Sequence, residues 1–159
     1  MIFAIRDATL ADGATIADYN SRMAEETEGH VLDQDTIGKG VAALLADVKK
    51  GRYWVAESGG RIIGQLMVTY EWSDWRNGVL WWIQSVYVHP EFRRERVFSA
   101  LYRHVESLAL AEPGVSGLRL YVEQDNKRAQ HTYEALGMVK TSYIVMESML
   151  GDRKGEIKC

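Results

Sequence analysis

Cysteine is nearly missing from this chain: Cys159 is the only one in 159 residues. A lone cysteine makes no internal disulfide, so the core has to hold the fold, and a reducing, cytoplasmic setting is expected. Proline is almost as scarce. Pro90 and Pro113 are the two, and each falls at an expected boundary between elements. Long apolar runs are missing too. The most apolar stretch, residues 79–88, is too short to span a bilayer and is interrupted by Gln84 and Ser85. The opening MIFAIRDATLADG has no basic segment followed by an apolar core, so no signal peptide is expected. Positive charge is not in excess. The formal net charge is −3, which excludes a general attraction to nucleic acid or anionic membranes and makes any basic site local. No spacing of histidine, cysteine and aspartate suggests a metal site.

What is present suits a single domain over residues 1–150 with a polar tail at 151–159. Apolar residues make up 47% and charged residues 26%, both ordinary for a globular chain long enough to bury a core. FAIRDAT reads as a strand. Thr9, with Asp12 three residues on, caps a helix carrying Ile16, Tyr19 and Met23. Asp33 or Asp35 caps a second helix with Ile37, Val41, Leu44 and Leu45 at helical spacing, ending at Gly51. RYWVAES, a Gly59-Gly60 turn and RIIGQLMVTYEW form a hairpin. Asn77-Gly78 turns the chain into VLWWIQSVYV, which is apolar at both parities and so covered on both faces. A helix from Val97, the strand GLRLYV, a helix over about 126–136 and one or two strands in MVKTSYIVMESML complete the order. The fold class is mixed α/β, with six to seven strands, about four helices and a parallel strand–helix–strand crossover over residues 79–122.

HPEFRRERVFSALYRHVE raises the question of function. Three arginines, Arg93, Arg94 and Arg96, open a helix whose start is already electropositive. Such a start is stable when an anion offsets the charge, and phosphate groups bind at helix N-termini. The competing reading is a solvated basic turn paired with Glu91 and Glu95.

VYVHPEFRRERVFSALYRHVE resembles the acyl-CoA-binding segment of the GNAT N-acetyltransferases. That family places Q/R-x-x-G-x-G/A between a central strand and a helix, and the loop's N–H groups hold the pyrophosphate of coenzyme A. Arg93 matches the first position, while Arg96 and Phe98 stand where small residues are usual. An arginine at 96 keeps its N–H donor provided its φ stays negative, and Phe98 packs against the core or the pantetheine arm. A second segment, VEQDNKRAQHTYEALGMVK, resembles the family's N-x-x-A/S-x-x-x-Y-x-x-x-G-F/M. Asn126, Ala129, Tyr133, Gly137 and Met138 fall in place. VTYEWSDWRNGVLWWIQSVYV is loosely similar to diamine (spermidine/spermine) and thialysine acetyltransferases.

The resemblance implies acetyl transfer from acetyl-CoA, as cosubstrate, to the primary amine of a small polyamine-like or amino-acid-like acceptor. It implies cofactor contacts from Val86, Tyr87 and Val88 on the strand, and from Arg93, Arg94, Glu95, Arg96, Val97, Phe98 and Ser99 in the loop and helix start. Asn126 and Tyr133 complete them. Tyr133 is the implied acid for the leaving thiolate, with a core tyrosine as the alternative. Asn126 is also a natural helix cap. Glu26, Glu71, Trp72 and Gln84 are the implied acceptor contacts. Diamine acetyltransferases carry glutamate where Gln84 stands, and glutamine is no base. Glu25, Glu28 and Asp74 are further carboxylates expected near the acceptor mouth. Trp72, Trp75, Trp81 and Trp82 line an acceptor pocket or a dimer interface, or pack in the core. Homodimers are common in the family. An acyl-CoA-binding module of the same fold without chemistry is the other reading.

Overall fold

The computed structural model describes residues 1–151, so the expected tail beyond Gly151, with Cys159, lies outside the described residues. By its internal contacts the chain divides into two compact units, Met1–Tyr121 and a second starting at Val122. The first holds β1 (Ala4–Asp7), α1 (Gly13–Glu28), α2 (Gln34–Ala46), β2 (Arg52–Ser58), β3 (Arg61–Ser73), β4 (Gly78–Val88), α3 (Val97–Ala111) and β5 (Val115–Leu120). The second holds α4 (Lys127–Ala135).

The five strands lie in chain order in one mixed sheet. Pairing is antiparallel from β1 to β4 and parallel between β4 and β5, with α3 as the crossover. Local chemistry sets the boundaries. Asp33 accepts the Thr36 N–H at 2.9 Å and caps α2. Asp12 accepts the Thr9 N–H at 2.7 Å before α1, and Arg6 grips the same carboxylate. That arginine holds the Asp12 pKa below the usual carboxylate range, against the pull of burial. Gly29, with φ of 61°, closes α1 in a left-handed cap.

Alternation along β2 sends neighbours to opposite faces. Tyr53 and Val55 pack with Ile16, Tyr19 and Val41 of α1 and α2. Trp54 turns the other way, toward His104 of α3 and Trp81 of β4. β4 is thus covered on both faces, as its composition predicts. Trp81 is buried, while Trp72 and Trp75 are exposed.

The sheet has five strands among the described residues, not the six to seven that the sequence suggests. Residues 138–150 form no ladder, and Tyr143, Ile144, Val145 and Met146 stand exposed. Their composition favours a strand, but a strand exists only against a partner edge. α2 also stops at Ala46 instead of running on to Gly51, because Asp47 turns the chain and its carbonyl accepts the Lys50 N–H.

Candidate active site

β4 carries two departures from a regular strand. On its β3 side Gln65 pairs with Tyr87 and Met67 with Gln84, so Ser85 and Val86 together oppose Leu66. This is a β-bulge, which breaks the ladder and re-aims side chains. Ser85 has φ of 51°, a left-handed conformation that costs a serine energy, and such strain collects at functional positions. On its other side β4 pairs with β5 only from Val79↔Val115 to Ile83↔Leu120. Residues 84–88 therefore have no β5 partner and present a strand edge, the kind that accepts an extended amide chain.

The open edge leads straight into the arginine turn. Pro90–Phe92 makes one 3-10 turn, and α3 begins at Val97. The Ala100 N–H donates to the Arg96 carbonyl at 3.1 Å. The helix start thus turns its N-terminal donors toward the arginine turn, and helix N-termini hold anions. Arg96 sits at φ of 58°, contrary to the negative φ its side chain favours. The turn keeps the backbone shape that glycine gives, although arginine fills the position. Arg94, Glu95 and Arg96 are exposed. Phe98 is half-buried, 6.2 Å from the Tyr102 ring. Gly64 on β3 makes room for this corner. A Cβ there would lie 2.8 Å from Val97 Cγ1 and 3.3 Å from the Tyr87 carbonyl oxygen.

Arg93 is anchored. Its Nε donates to the Val88 carbonyl at 2.9 Å, and its Nη2 pairs with Glu26 of α1 at 2.6 Å. Tyr87 donates its hydroxyl to the other oxygen of Glu26 at 3.0 Å. Burial and the Glu26 carboxylate push the Tyr87 hydroxyl upward in pKa. His89 moves the other way. Burial first, then Arg61, lower its pKa and favour the neutral ring.

Of the four expected acceptor contacts, Glu26 thus lies against Arg93 and Tyr87. Gln84 donates to Thr69 Oγ1 at 2.6 Å. Glu71 accepts from Arg119 at 2.9 Å and Trp82 Nε1 at 3.2 Å. Glu71 pairs with Leu80 while Gln84 pairs with Met67, so the two lie four residues apart along β3, about 13 Å. Glu71 and the exposed Trp72 belong to the far end of the hairpin.

The sequence did not single out the cavity between α1, α2 and the bulge. It holds about 290 Å³ and is lined by Asn20, Met23, Ile37, Val41, Leu44, Tyr53, Met67 and Ser85, among others. The apolar members read as ordinary core at helical spacing. Ser85, a polar residue in an apolar strand, was the one signal. A polar network backs the cavity. Asn20 Nδ2 donates to the Tyr53 hydroxyl at 3.0 Å. Gln65 Nε2 donates to Asn20 Oδ1 at 3.0 Å and to the Ser85 carbonyl at 3.2 Å. Burial raises the Tyr53 pKa, while hydrogen bonds from Ser85 and Asn20 oppose it. Gln65 Oε1 is buried with no hydrogen-bond partner among the described residues.

In the second unit, Asn126 caps α4 by accepting the Ala129 N–H at 3.1 Å. Tyr133 follows two turns later, half-buried, and burial pushes its hydroxyl above the ordinary tyrosine pKa.

The sequence profile of the Acetyltransferase (GNAT) family matches residues 16–138. The chain belongs to the GNAT acetyltransferase family. A possible acetyltransferase from Clostridium difficile 630 is 44% identical and superposes with a TM-score of 0.88, over 94% of this GNAT chain and 98% of that one. Thialysine N-epsilon-acetyltransferase from Bos taurus is 34% identical over 79 residues. That match takes in 50% of this chain and 45% of the bovine protein, so it spans about half of each. A predicted acetyltransferase with acetyl-CoA from Clostridium acetobutylicum shares the GNAT fold at 16% identity, with a TM-score of 0.77 over 94% and 97% of the two chains. Among the described residues no helix is long and apolar enough to cross a membrane, and no group of metal-ligating side chains comes together.

Proposed function

We propose that the protein transfers an acetyl group from acetyl-CoA to the primary amine of a small molecule by direct attack, in the cytoplasm. The observation that carries this reading is the open edge of β4 at residues 84–88, running without a break into the left-handed turn at Arg96 and the N-terminus of α3. An amide-bearing arm fits the first part, and a diphosphate fits the second. Acetyl-CoA has both, joined in that order, and brings an activated thioester.

Val86, Tyr87 and Val88 hold the pantetheine arm in this reading, and a main-chain N–H among them steadies the thioester oxygen as charge builds there. The turn and helix start, from Arg93 and Arg94 through Glu95 and Arg96 to Val97, Phe98 and Ser99, grip the diphosphate. Asn126 orients α4, and Tyr133 supplies a proton. The acceptor attacks as a neutral amine. The C–N bond forms as the C–S bond breaks, the sulfur leaves with the electron pair and takes the Tyr133 proton, and the amine proton passes to water. Gln84, hydrogen-bonded to Thr69, takes no proton, so the neutral amine is selected on binding. The thialysine acetyltransferase relative supports a primary amine as acceptor. The exposed residues Tyr143, Ile144, Val145 and Met146 support a homodimer.

The test is coenzyme A release on mixing the protein with acetyl-CoA and a panel of primary amines, with acetyl-CoA affinity measured separately by calorimetry. Turnover with at least one amine is expected. Binding without turnover would leave an acyl-CoA-binding module, and failure to bind any coenzyme A thioester would end both readings.

A further inference from the structure

The cavity beside the β4 bulge has a layered chemistry. Its polar lining is one connected group: Asn20 and Tyr53, each 4% exposed and hydrogen-bonded to each other, and Ser85 on the strained bulge, joined to Asn20 through Gln65. Its walls are apolar: Met23 on α1, Ile37, Val41 and Leu44 on α2, and Met67 on β3. Glu28 is the one charged residue in the lining, and it is exposed at the end of α1. Two of the carboxylates expected to draw a polycation inward are engaged elsewhere. Glu26 pairs with Arg93, and Glu71 pairs with Arg119 at the far end of the hairpin.

We infer that the acceptor carries its primary amine at the end of an unbranched, uncharged arm, which lies between the Met23 and Met67 walls with the amine on the Asn20–Tyr53–Ser85 floor. This rests on the acetyl-transfer reading and narrows its acceptor class. The floor supplies hydroxyl and amide partners for an amine but no carboxylate, so it favours the neutral form that attacks. The floor lies against Ser85, next to the open edge of β4, which brings the amine toward the strand proposed to hold the thioester. An ammonium within the arm would lie against the thioether and aliphatic groups of Met23, Ile37, Val41, Leu44 and Met67, with the exposed Thr27 hydroxyl as the polar exception along the walls, and a charge without a carboxylate partner in such surroundings is strongly disfavoured. A second cation is accepted only beyond the rim, near Glu28. Polyamines such as spermidine, with charge inside the arm, are therefore poor acceptors. The volume suits one arm and not a whole folded partner.

Gly40 gives a clean probe. It lines the cavity within α2, and a Cβ added there meets nothing within 4 Å. Gly40→Leu fills space and raises helix propensity, so it blocks the arm without unfolding α2.

The experiment uses three amines of equal length: n-hexylamine, 3-ethoxypropylamine and N-ethyl-1,3-diaminopropane, the last with a charged nitrogen in the arm. Methyl NMR of the full chain labelled at methionine reads the wall directly, with Met23 and Met67 assigned by single Met→Leu variants. The two uncharged arms are expected to shift both signals and to bind at least tenfold more tightly than the charged one. Gly40→Leu is expected to weaken them tenfold while acetyl-CoA affinity stays within twofold. Equal binding of the charged arm, or no movement of either signal with any amine, overturns the inference. These readouts need no turnover. Loss of coenzyme A binding or of chemistry would count against the acetyl-transfer reading, whereas the methyl shifts judge the arm alone.

Discussion

Glu26 and Arg93 stand 67 residues apart in the chain and 2.6 Å apart in the fold. The pair joins the end of α1 to the turn below β4, and Tyr87 shares the same carboxylate. Glu26 therefore competes with any diphosphate for the Arg93 guanidinium. Arg93 does not need Glu26 to stay in place, because its Nε also holds the Val88 carbonyl and its guanidinium lies 5.4 Å from the Tyr87 ring. Glu26→Gln is expected to tighten acetyl-CoA binding about threefold, the scale of one exposed ion pair, and to steepen its salt dependence. Calorimetry at two ionic strengths checks this. Weaker binding in the variant would mean that Glu26 holds Arg93 for the cofactor and does not compete with it.

Arg96 is the place where chain and turn disagree. A left-handed arginine costs about 1 kcal/mol relative to glycine at the same angles. The turn tolerates that cost because the strand before it and the helix after it fix both ends. Arg96→Gly should raise the urea midpoint by a matching amount with no change in slope. Acetyl-CoA affinity should stay within about threefold, the scale of one exposed charge. A tenfold loss by calorimetry would show that the arginine side chain itself grips a phosphate.

Gly64 and Val97 are packed too closely for a methyl group. Because the Cβ contact would fall at 2.8 Å, Gly64→Ala has to push the first turn of α3 away from β3. Overpacking of this kind costs about 1–3 kcal/mol. The same push displaces the N–H groups of residues 97–99, so acetyl-CoA binding should weaken along with stability. Chemical denaturation and calorimetry on one sample separate the two effects. A destabilised variant that binds acetyl-CoA normally would place the diphosphate elsewhere.

Much of this arrangement was legible from residue order. The Asn77-Gly78 turn, the two-faced apolar run of β4, the Asp33 cap and the Asn126 cap act over a few residues, and each shows in the structure. The sheet's far edge was not legible, since residues 138–150 have strand composition but whether they pair depends on an edge the chain does not announce. The φ of Arg96 was hidden for a similar reason: its side chain argues against the conformation that its neighbours impose. The α1–α2 cavity was hidden because Met23, Val41 and Met67 show the spacing of core residues, and only the fold reveals that space remains between them.

Tyr133 offers the most direct test of chemistry. Burial pushes its hydroxyl above the ordinary pKa of 10.0, so the phenol keeps its proton through neutral and mildly alkaline pH and is available as a donor. The linked stability has a definite sign. The folded pKa lies above the unfolded one, so this contribution is full below about pH 10 and is lost as pH rises through the folded value. Tyr133→Phe keeps the ring and removes the proton. Turnover should fall about a hundredfold, the lower range for a general acid, while acetyl-CoA affinity stays nearly intact. The stability of the variant should also decline less above pH 10 than that of the parent. Steady-state kinetics over pH 7–10, with calorimetry of acetyl-CoA at pH 7.5, measure both halves. Unchanged turnover in the variant would remove Tyr133 from the chemistry and leave it as a core residue.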